Sequence, residues 1–162
     1  MPPTPTEIVE SEIRPFAKDW EDPKPGEEHY STNQLIAAYE AGYAKGLGVQ
    51  ALVKEKFERN IGRSGSDTKK LISKLQEYGF TPAAARLKVV SWEQFEVLVT
   101  LSEVEYLDEK FESIYEFVGE LENSSREENY SINFRFCPEL DGFDEQKVKS
   151  DGFTLHHRSL AQ

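Results

Sequence analysis

The sequence predicts an α+β fold, with two or three helices in its N-terminal half followed by a small βαββ sheet layer. Two observations carry the second half. Phe95, Val97, Val99 and Leu101 alternate with Glu96, Leu98 and Thr100, and Tyr130, Ile132, Phe134 and Phe136 alternate with Ser131, Asn133, Arg135 and Cys137. That is the period of half-buried strands. Between them, residues 102–129 form a helical connection of 28 residues, long enough for a parallel crossover, which should be right-handed. A third observation, apolar residues at helical spacing upstream, places helices in front of the sheet.

Six of the eight prolines (Pro2, Pro3, Pro5, Pro15, Pro23, Pro25) fall in the first 25 residues, and residues 1–30 hold eight acids against three bases. Proline fixes φ and removes donors, so residues 1–30 read as an acidic, proline-rich tail or arm before a domain over 31–162. Ile8, Val9, Ile13, Phe16 and Trp20 give this arm apolar anchors, which either pack on the domain or dock on a partner. Ser31, Thr32 and Asn33 are N-cap types, and Leu35, Ile36, Tyr39, Tyr43, Leu52, Val53 and Phe57 follow at helical spacing. Ala38, Gly42 and Gly46 form a small-residue stripe that lets another helix approach closely, from this chain or from a second copy. Gly46 and Gly48 are also places where the segment can divide, since glycine costs about 1 kcal/mol in a helix interior.

Gly62-Arg63-Ser64-Gly65-Ser66 reads as a turn. A second helix is expected from Asp67, with Leu71, Ile72, Leu75 and Tyr78 inward and Gly79 as its C-terminal cap. Thr81-Pro82 restarts a short helix through Leu87, with proline at the first helical position. Trp92 stands at the entrance to the first strand. After that strand, Ser102–Glu105 has the S-x-x-E pattern of a capping box. Val104, Leu107, Phe111, Ile114, Val118 and Leu121 then recur at three- and four-residue intervals, one apolar stripe along the whole connection. The stretch Asn123–Asn129 ends it. Pro138 stops the next strand, Asp141-Gly142 and Asp151-Gly152 mark turns, and Phe153, Leu155 and His157 alternate as a short last strand. The βαββ order resembles half of a ferredoxin-like domain.

Composition restricts the function classes. With 19 basic and 30 acidic residues the net charge is −11. No apolar run approaches the roughly 18 residues of a membrane span. The acidic, proline-rich start is unlike a signal peptide. One cysteine, Cys137, excludes a disulfide framework and a thiolate zinc site. A cytoplasmic protein without membrane contact, cofactor or metal is expected.

The charge is uneven. Residues 54–88 hold nine bases and four acids, a net +5, whereas the other 127 residues hold 10 bases and 26 acids, a net −16. Such a segment meets either phosphates or an acidic protein surface. Within it, Ile61–Leu71 is similar to the GXXG segment of KH domains, where a glycine loop between helices clamps a nucleic-acid backbone. The resemblance implies contacts from Gly62, Arg63, Ser64, Gly65, Lys69, Lys70 and Lys74. It covers eleven residues, departs at Thr68 where an aliphatic residue is usual, and sets Asp67 at the helix start, so the chain is not assigned to that family.

The histidines are His29, His156 and His157. Neighbours on a strand point to opposite faces, so His156 and His157 do not share one metal. Asp141, Asp144 and Asp151 lie near them in sequence without a ligand spacing. Cys137 reads as a packing residue. Paired acids such as Glu27-Glu28, Asp108-Glu109 and Glu127-Glu128 are too common here to mark acid–base chemistry, and no P-loop, Rossmann, G-x-S-x-G or H-E-x-x-H motif is present.

Three functions are compatible with these residues. The first is a non-catalytic interaction or regulatory protein acting through protein contacts or self-association, an inhibitor or immunity-type protein being one form. The second is a nucleic-acid binder using the 54–88 stretch. The third is a small hydrolase-like enzyme using His156 or His157 with Asp151. The sequence favours the first.

Overall fold

A computed structural model describes residues 18–21 and 50–160, with side chains of the longer stretch from Lys54 onward. The described residues form a mixed α+β structure, a five-stranded sheet with four helices. In chain order the elements are β1 (Trp20–Glu21), α1 (Gln50–Glu77), β2 (Ala84–Val89), β3 (Gln94–Leu101), α2 (Glu103–Tyr106), α3 (Phe111–Ser125), β4 (Ser131–Pro138), α4 (Glu145–Ser150) and β5 (Leu155–His157). A 3-10 turn, Arg158–Leu160, follows. The strands lie in the order β1-β5-β2-β3-β4.

The two alternating segments are strands, and they pair in parallel as the length of their connection predicts, with Phe95 opposite Ile132 and Val97 opposite Phe134. The other pairings are antiparallel. Period and register put Trp20, His157, Leu155, Ala85, Leu87, Val89, Phe95, Val97, Val99, Leu101, Ile132 and Phe134 on one face, all buried. Helices α1 and α3 cover that face. Phe57 of α1 stacks on Phe95 at 6.4 Å, and Phe111 of α3 meets Phe136 edge-on at 4.9 Å. Burial of these side chains is the main source of stability, at roughly 1.5–3 kcal/mol each.

Four expectations are corrected. The turn at Gly62–Ser66 is helix, because α1 runs unbroken through it. Its small polar residues find partners compatible with helical backbone: Ser64 Oγ donates to the Ile61 carbonyl at 2.7 Å and Thr68 Oγ1 to the Ser64 carbonyl at 2.8 Å. Asn60 Nδ2 donates across to the carbonyls of Trp92 and Asn129. The helix expected over Thr81–Leu87 is instead strand β2. It lies between β3 and β5: Ala84 and Ala85 pair with Thr100 and Val99 of β3, and Arg86 and Leu87 pair on both sides, which overrides the helical preference of the alanines.

The apolar stripe behind Ser102 is cut. Ser102 does cap α2, accepting from the Glu105 amide, but the helix stops at Tyr106 and restarts at Phe111, with Asp108 Oδ1 accepting from the Lys110 amide. Phe111, Ile114, Val118 and Leu121 are buried as expected, whereas Val104 and Leu107 are 82% and 69% exposed. The layout of front helices followed by a ferredoxin-like half is also not what is seen, since β1 and β2 join the sheet and only α1 of the front helices lies among the described residues. Residues 31–49, with the Ala38, Gly42 and Gly46 stripe, lie outside them.

Other local readings stand. Gly79 has φ +82° and the Phe80 amide reaches back to the Leu75 carbonyl, closing α1 as a glycine cap does. Gly142 and Gly152 also have positive φ, at the two predicted turns. The segment between them lies against the polar sheet face. Arg86, 3% exposed, pairs with Glu145 at 2.9 Å and lies 5.5 Å from the Phe143 ring, while Thr100 Oγ1 donates to Glu139. The outer strand β4 is guarded midway, where the Phe134 amide donates to Glu122 of α3 at 2.9 Å. No helix among the described residues is long and apolar enough to cross a membrane.

Candidate functional site

Because α1 is continuous, residues four and seven apart on it share a face. Ser66, Lys69, Lys70, Ser73, Lys74 and Glu77 form such a face. Together with Lys18 and Asp19 on one side and Phe117 of α3 on the other, they line a cleft of about 550 Å³. This size lies within the range of ligand-binding pockets.

Charge in the cleft is mixed but mostly positive, with four ammonium groups and two carboxylates. Lys70 is 3.7 Å from the buried carboxylate of Asp67, and Lys74 is 3.3 Å from Glu77 and 5.3 Å from the Phe117 ring centre. Among the described residues, Lys18 and Lys69 have no carboxylate at ion-pair distance. The cleft contains hydroxyl, ammonium and carboxylate groups but neither histidine nor cysteine. It can therefore hold an anionic group by charge-assisted hydrogen bonds.

The wall formed by Lys18 and Asp19 is fixed by Trp20. That side chain is fully buried, donates from Nε1 to Ser64 Oγ at 3.1 Å, and meets the His157 ring edge-on at 5.1 Å. His157 is itself buried. Its Nε2 lies 3.1 Å from the Gly65 carbonyl and its Nδ1 accepts from the Ser159 amide, which places the proton on Nε2. Burial lowers the His157 pKa below the ordinary histidine value, and the nearby Lys69 ammonium lowers it further, against the opposing pulls of the Gly65 carbonyl and Asp19.

A second polar line crosses the other side of α1. The Tyr130 hydroxyl donates to Asp67 Oδ2 at 2.8 Å, and the Arg63 guanidinium lies 4.6 Å from the Tyr130 ring centre. Arg63 also donates to the Ser125 carbonyl at 2.6 Å and pairs with Glu127 at 2.6 Å. It thus ties α1 to the C-terminal end of α3.

The seven residues of the expected phosphate-clamping loop are therefore divided. Lys69, Lys70 and Lys74 line the cleft. Gly62 lies half-buried inside the helix, Ser64 and Gly65 are buried under Trp20 and Asp19, and Arg63 is engaged with α3. There is no glycine loop and no helix N-terminus at that point. Lys18, Asp19, Ser66, Ser73, Glu77 and Phe117 escaped the sequence reading. The spacing Ser66, Lys69/Lys70, Ser73/Lys74, Glu77 would have revealed the α1 face had the helix been read as continuous, but nothing local in Lys18 or Phe117 marks them.

His156 and His157 do point to opposite faces of the sheet, and the partners of His157 are Gly65 and Ser159 rather than Asp151, which caps the end of α4. His29 lies outside the described residues. Cys137 is half-buried, its thiol 3.5 Å from the Pro138 carbonyl. Among the described residues no three His, Cys, Asp or Glu side chains gather as a metal site would require. Comparison with family models, curated proteins and solved structures finds no match to this chain.

Proposed function

We propose that this protein is a non-catalytic binding protein acting through contacts with another protein, and that its contact surface is the lysine-lined cleft, which takes an acidic segment of the partner. The observation that carries this reading is the convergence of Lys18, Lys69, Lys70 and Lys74 on one cleft, two of them without an ion-pair partner among the described residues. A protein segment fits better than a nucleic acid on two counts. The lining mixes in Asp19 and Glu77, acceptors that the backbone amides of a peptide can satisfy and a phosphate backbone cannot. The one aromatic ring, Phe117, is covered by the Lys74 ammonium and offers no open platform for a base.

The test is a fluorescence-anisotropy titration of a labelled peptide rich in glutamate and serine, and in parallel of a single-stranded oligonucleotide. Expected is peptide binding that weakens with salt and is lost in the Lys18→Glu/Lys69→Glu variant. Tighter binding of the oligonucleotide, lost in the same variant, would transfer the cleft to the nucleic-acid reading. Peptide affinity unchanged by the charge reversals would refute the cleft as the contact surface.

A further inference from the structure

The cleft is made from two parts of the chain that are far apart in sequence. Its floor is α1. Its other wall is the Lys18–Glu21 strap, which carries Lys18 and Asp19 and enters the sheet as a strand of two residues. Among the described residues the strap is held by its two-residue ladder with β5, by the buried Trp20 with its Ser64 hydrogen bond and its edge contact on His157, by the Asp19 carbonyl accepting from the Arg158 amide at 2.8 Å, and by the Glu21–Arg158 ion pair at 3.3 Å. The Ser64 bond ties the strap to α1, and the two Arg158 contacts tie it to the turn after β5.

Gly65 lets the strap lie close against α1. A Cβ built at this position would lie 2.5 Å from Asp19 Cβ and 2.6 Å from Asp19 Oδ2, so no other residue fits while the strap is docked. Cβ is not a flexible tip that can turn aside, and the backbone carrying it would have to move. The mid-helix glycine is thus explained by the strap, at the cost in helix propensity that glycine carries.

We propose that strap docking and cleft occupancy are one coupled equilibrium: the binding site is complete only when Trp20 is seated, and an occupant of the cleft holds the strap in place. This rests on the cleft being the contact surface. Lys18 reaches an occupant only from the docked strap, and the Asp19 carbonyl and Trp20 ring are fixed by the same docking event. An occupant that touches Lys18 together with Lys69 has differential affinity for the docked state, which is the requirement for coupling. His157 stands behind Trp20 as part of the seat. The groups facing it are the Gly65 carbonyl and Lys69 of α1, Asp19 and Trp20 of the strap and Ser159 of the following turn.

The experiment reads Trp20 fluorescence in a Trp92→Phe background, where Trp20 is the remaining tryptophan. Quenching by acrylamide reports whether Trp20 is seated, and the labelled glutamate/serine peptide reports the cleft. In Gly65→Ala the strap is displaced, so Trp20 becomes quenchable. If the docked fraction falls to about a tenth, apparent peptide affinity falls about tenfold with it. Adding Asp19→Gly to Gly65→Ala removes the clashing atoms and restores Trp20 burial, which also separates strap release from general unfolding. Saturating peptide reduces quenching in the Gly65→Ala variant.

Release of Trp20 with peptide affinity unchanged overturns the coupling and leaves the cleft reading intact, with α1 sufficient for binding. A parent protein that binds no peptide defeats the cleft reading and the coupling together. Trp20 still buried in Gly65→Ala overturns the role assigned to Gly65.

Discussion

Tyr130→Phe removes one oxygen from the core and nothing else. Tyr130 is 1% exposed, and its hydroxyl is the donor to Asp67 Oδ2 at 2.8 Å. Asp67 is 3% exposed, and among the described residues its other oxygen has Lys70 at 3.7 Å, an ammonium that stands largely in solvent and contributes little. The variant therefore leaves a buried carboxylate oxygen without its donor. Hydrogen bonds to charged groups are worth about 1.5–3 kcal/mol, and the short distance and burial argue for a loss of about 2 kcal/mol. In a chain of this size that lowers Tm by about 4–8 °C. Urea unfolding followed by circular dichroism should show a lower midpoint at unchanged slope.

The double variant Asp67→Asn/Tyr130→Phe should be more stable than Tyr130→Phe alone, because it no longer buries an unmatched carboxylate. A loss below about 0.5 kcal/mol in Tyr130→Phe would refute the reasoning, since surface-type substitutions fall in that range. The same hydroxyl predicts an alkaline limit. Burial, then the Asp67 carboxylate, raises the Tyr130 pKa well above the ordinary 10.0, so the unfolded chain releases this proton first. Stability from this group is therefore full below pH 10 and is lost as the pH rises above it, a slope that Tyr130→Phe should flatten.

The remaining expectations concern the acid limb, the interrupted stripe and one glycine turn. With the His157 pKa lowered from 6.5, the unfolded chain takes up the proton first, so stability is full above about pH 6.5 and declines below it. His157→Gln should flatten that acid slope in unfolding titrations, and an unchanged slope would count against a buried neutral imidazole. Val104→Glu and Leu107→Glu should each change stability by less than about 0.5 kcal/mol, because both side chains are exposed, and a large Tm drop would restore the uninterrupted stripe. Gly152→Ala should destabilise by about 1 kcal/mol or more, since its φ of +103° strains an L-residue and the added Cβ would come 3.2 Å from Lys88 Cγ; a neutral result in urea titrations would contradict this turn geometry.

The parts of the fold that were legible are those where a local pattern and the tertiary environment agree. The alternations around Val97 and Phe134 work because one face of each strand is buried under helices and the other is not. Where residues are explained by a distant partner, the local signal misleads. Gly62, Ser64 and Gly65 carry turn propensities, yet they lie within a helix, where the Ser64 hydroxyl accepts from Trp20, more than forty residues away, and Gly65 lets Asp19 approach. Ala83–Ala85 carry helical propensity, but Ala84 and Ala85 are laddered to β3 and Ala83 donates to the Thr100 carbonyl. Val104 and Leu107 continue a stripe that Asp108 and the restart at Phe111 interrupt. For the candidate site, Lys69, Lys70 and Lys74 were found for their charge through a loop that does not exist. Lys18 was beyond reach because its place depends on a strap anchored at residue 20.

The pairing of β1 with β5 has a consequence for how the protein emerges during synthesis. Glu21 and Arg158 are 137 residues apart, so the seat for Trp20 is incomplete until nearly all the described chain has left the ribosome. Throughout translation the Trp20 side chain has α1 to lie on but neither His157 nor the β5 ladder. Closing so long a loop comes late, after α1, β2, β3, α3 and β4 have had the opportunity to assemble from nearer neighbours. A nascent chain arrested before Leu155 should therefore present a formed helical face with Trp20 exposed, a transient apolar target for chaperones that vanishes when the last strand is released.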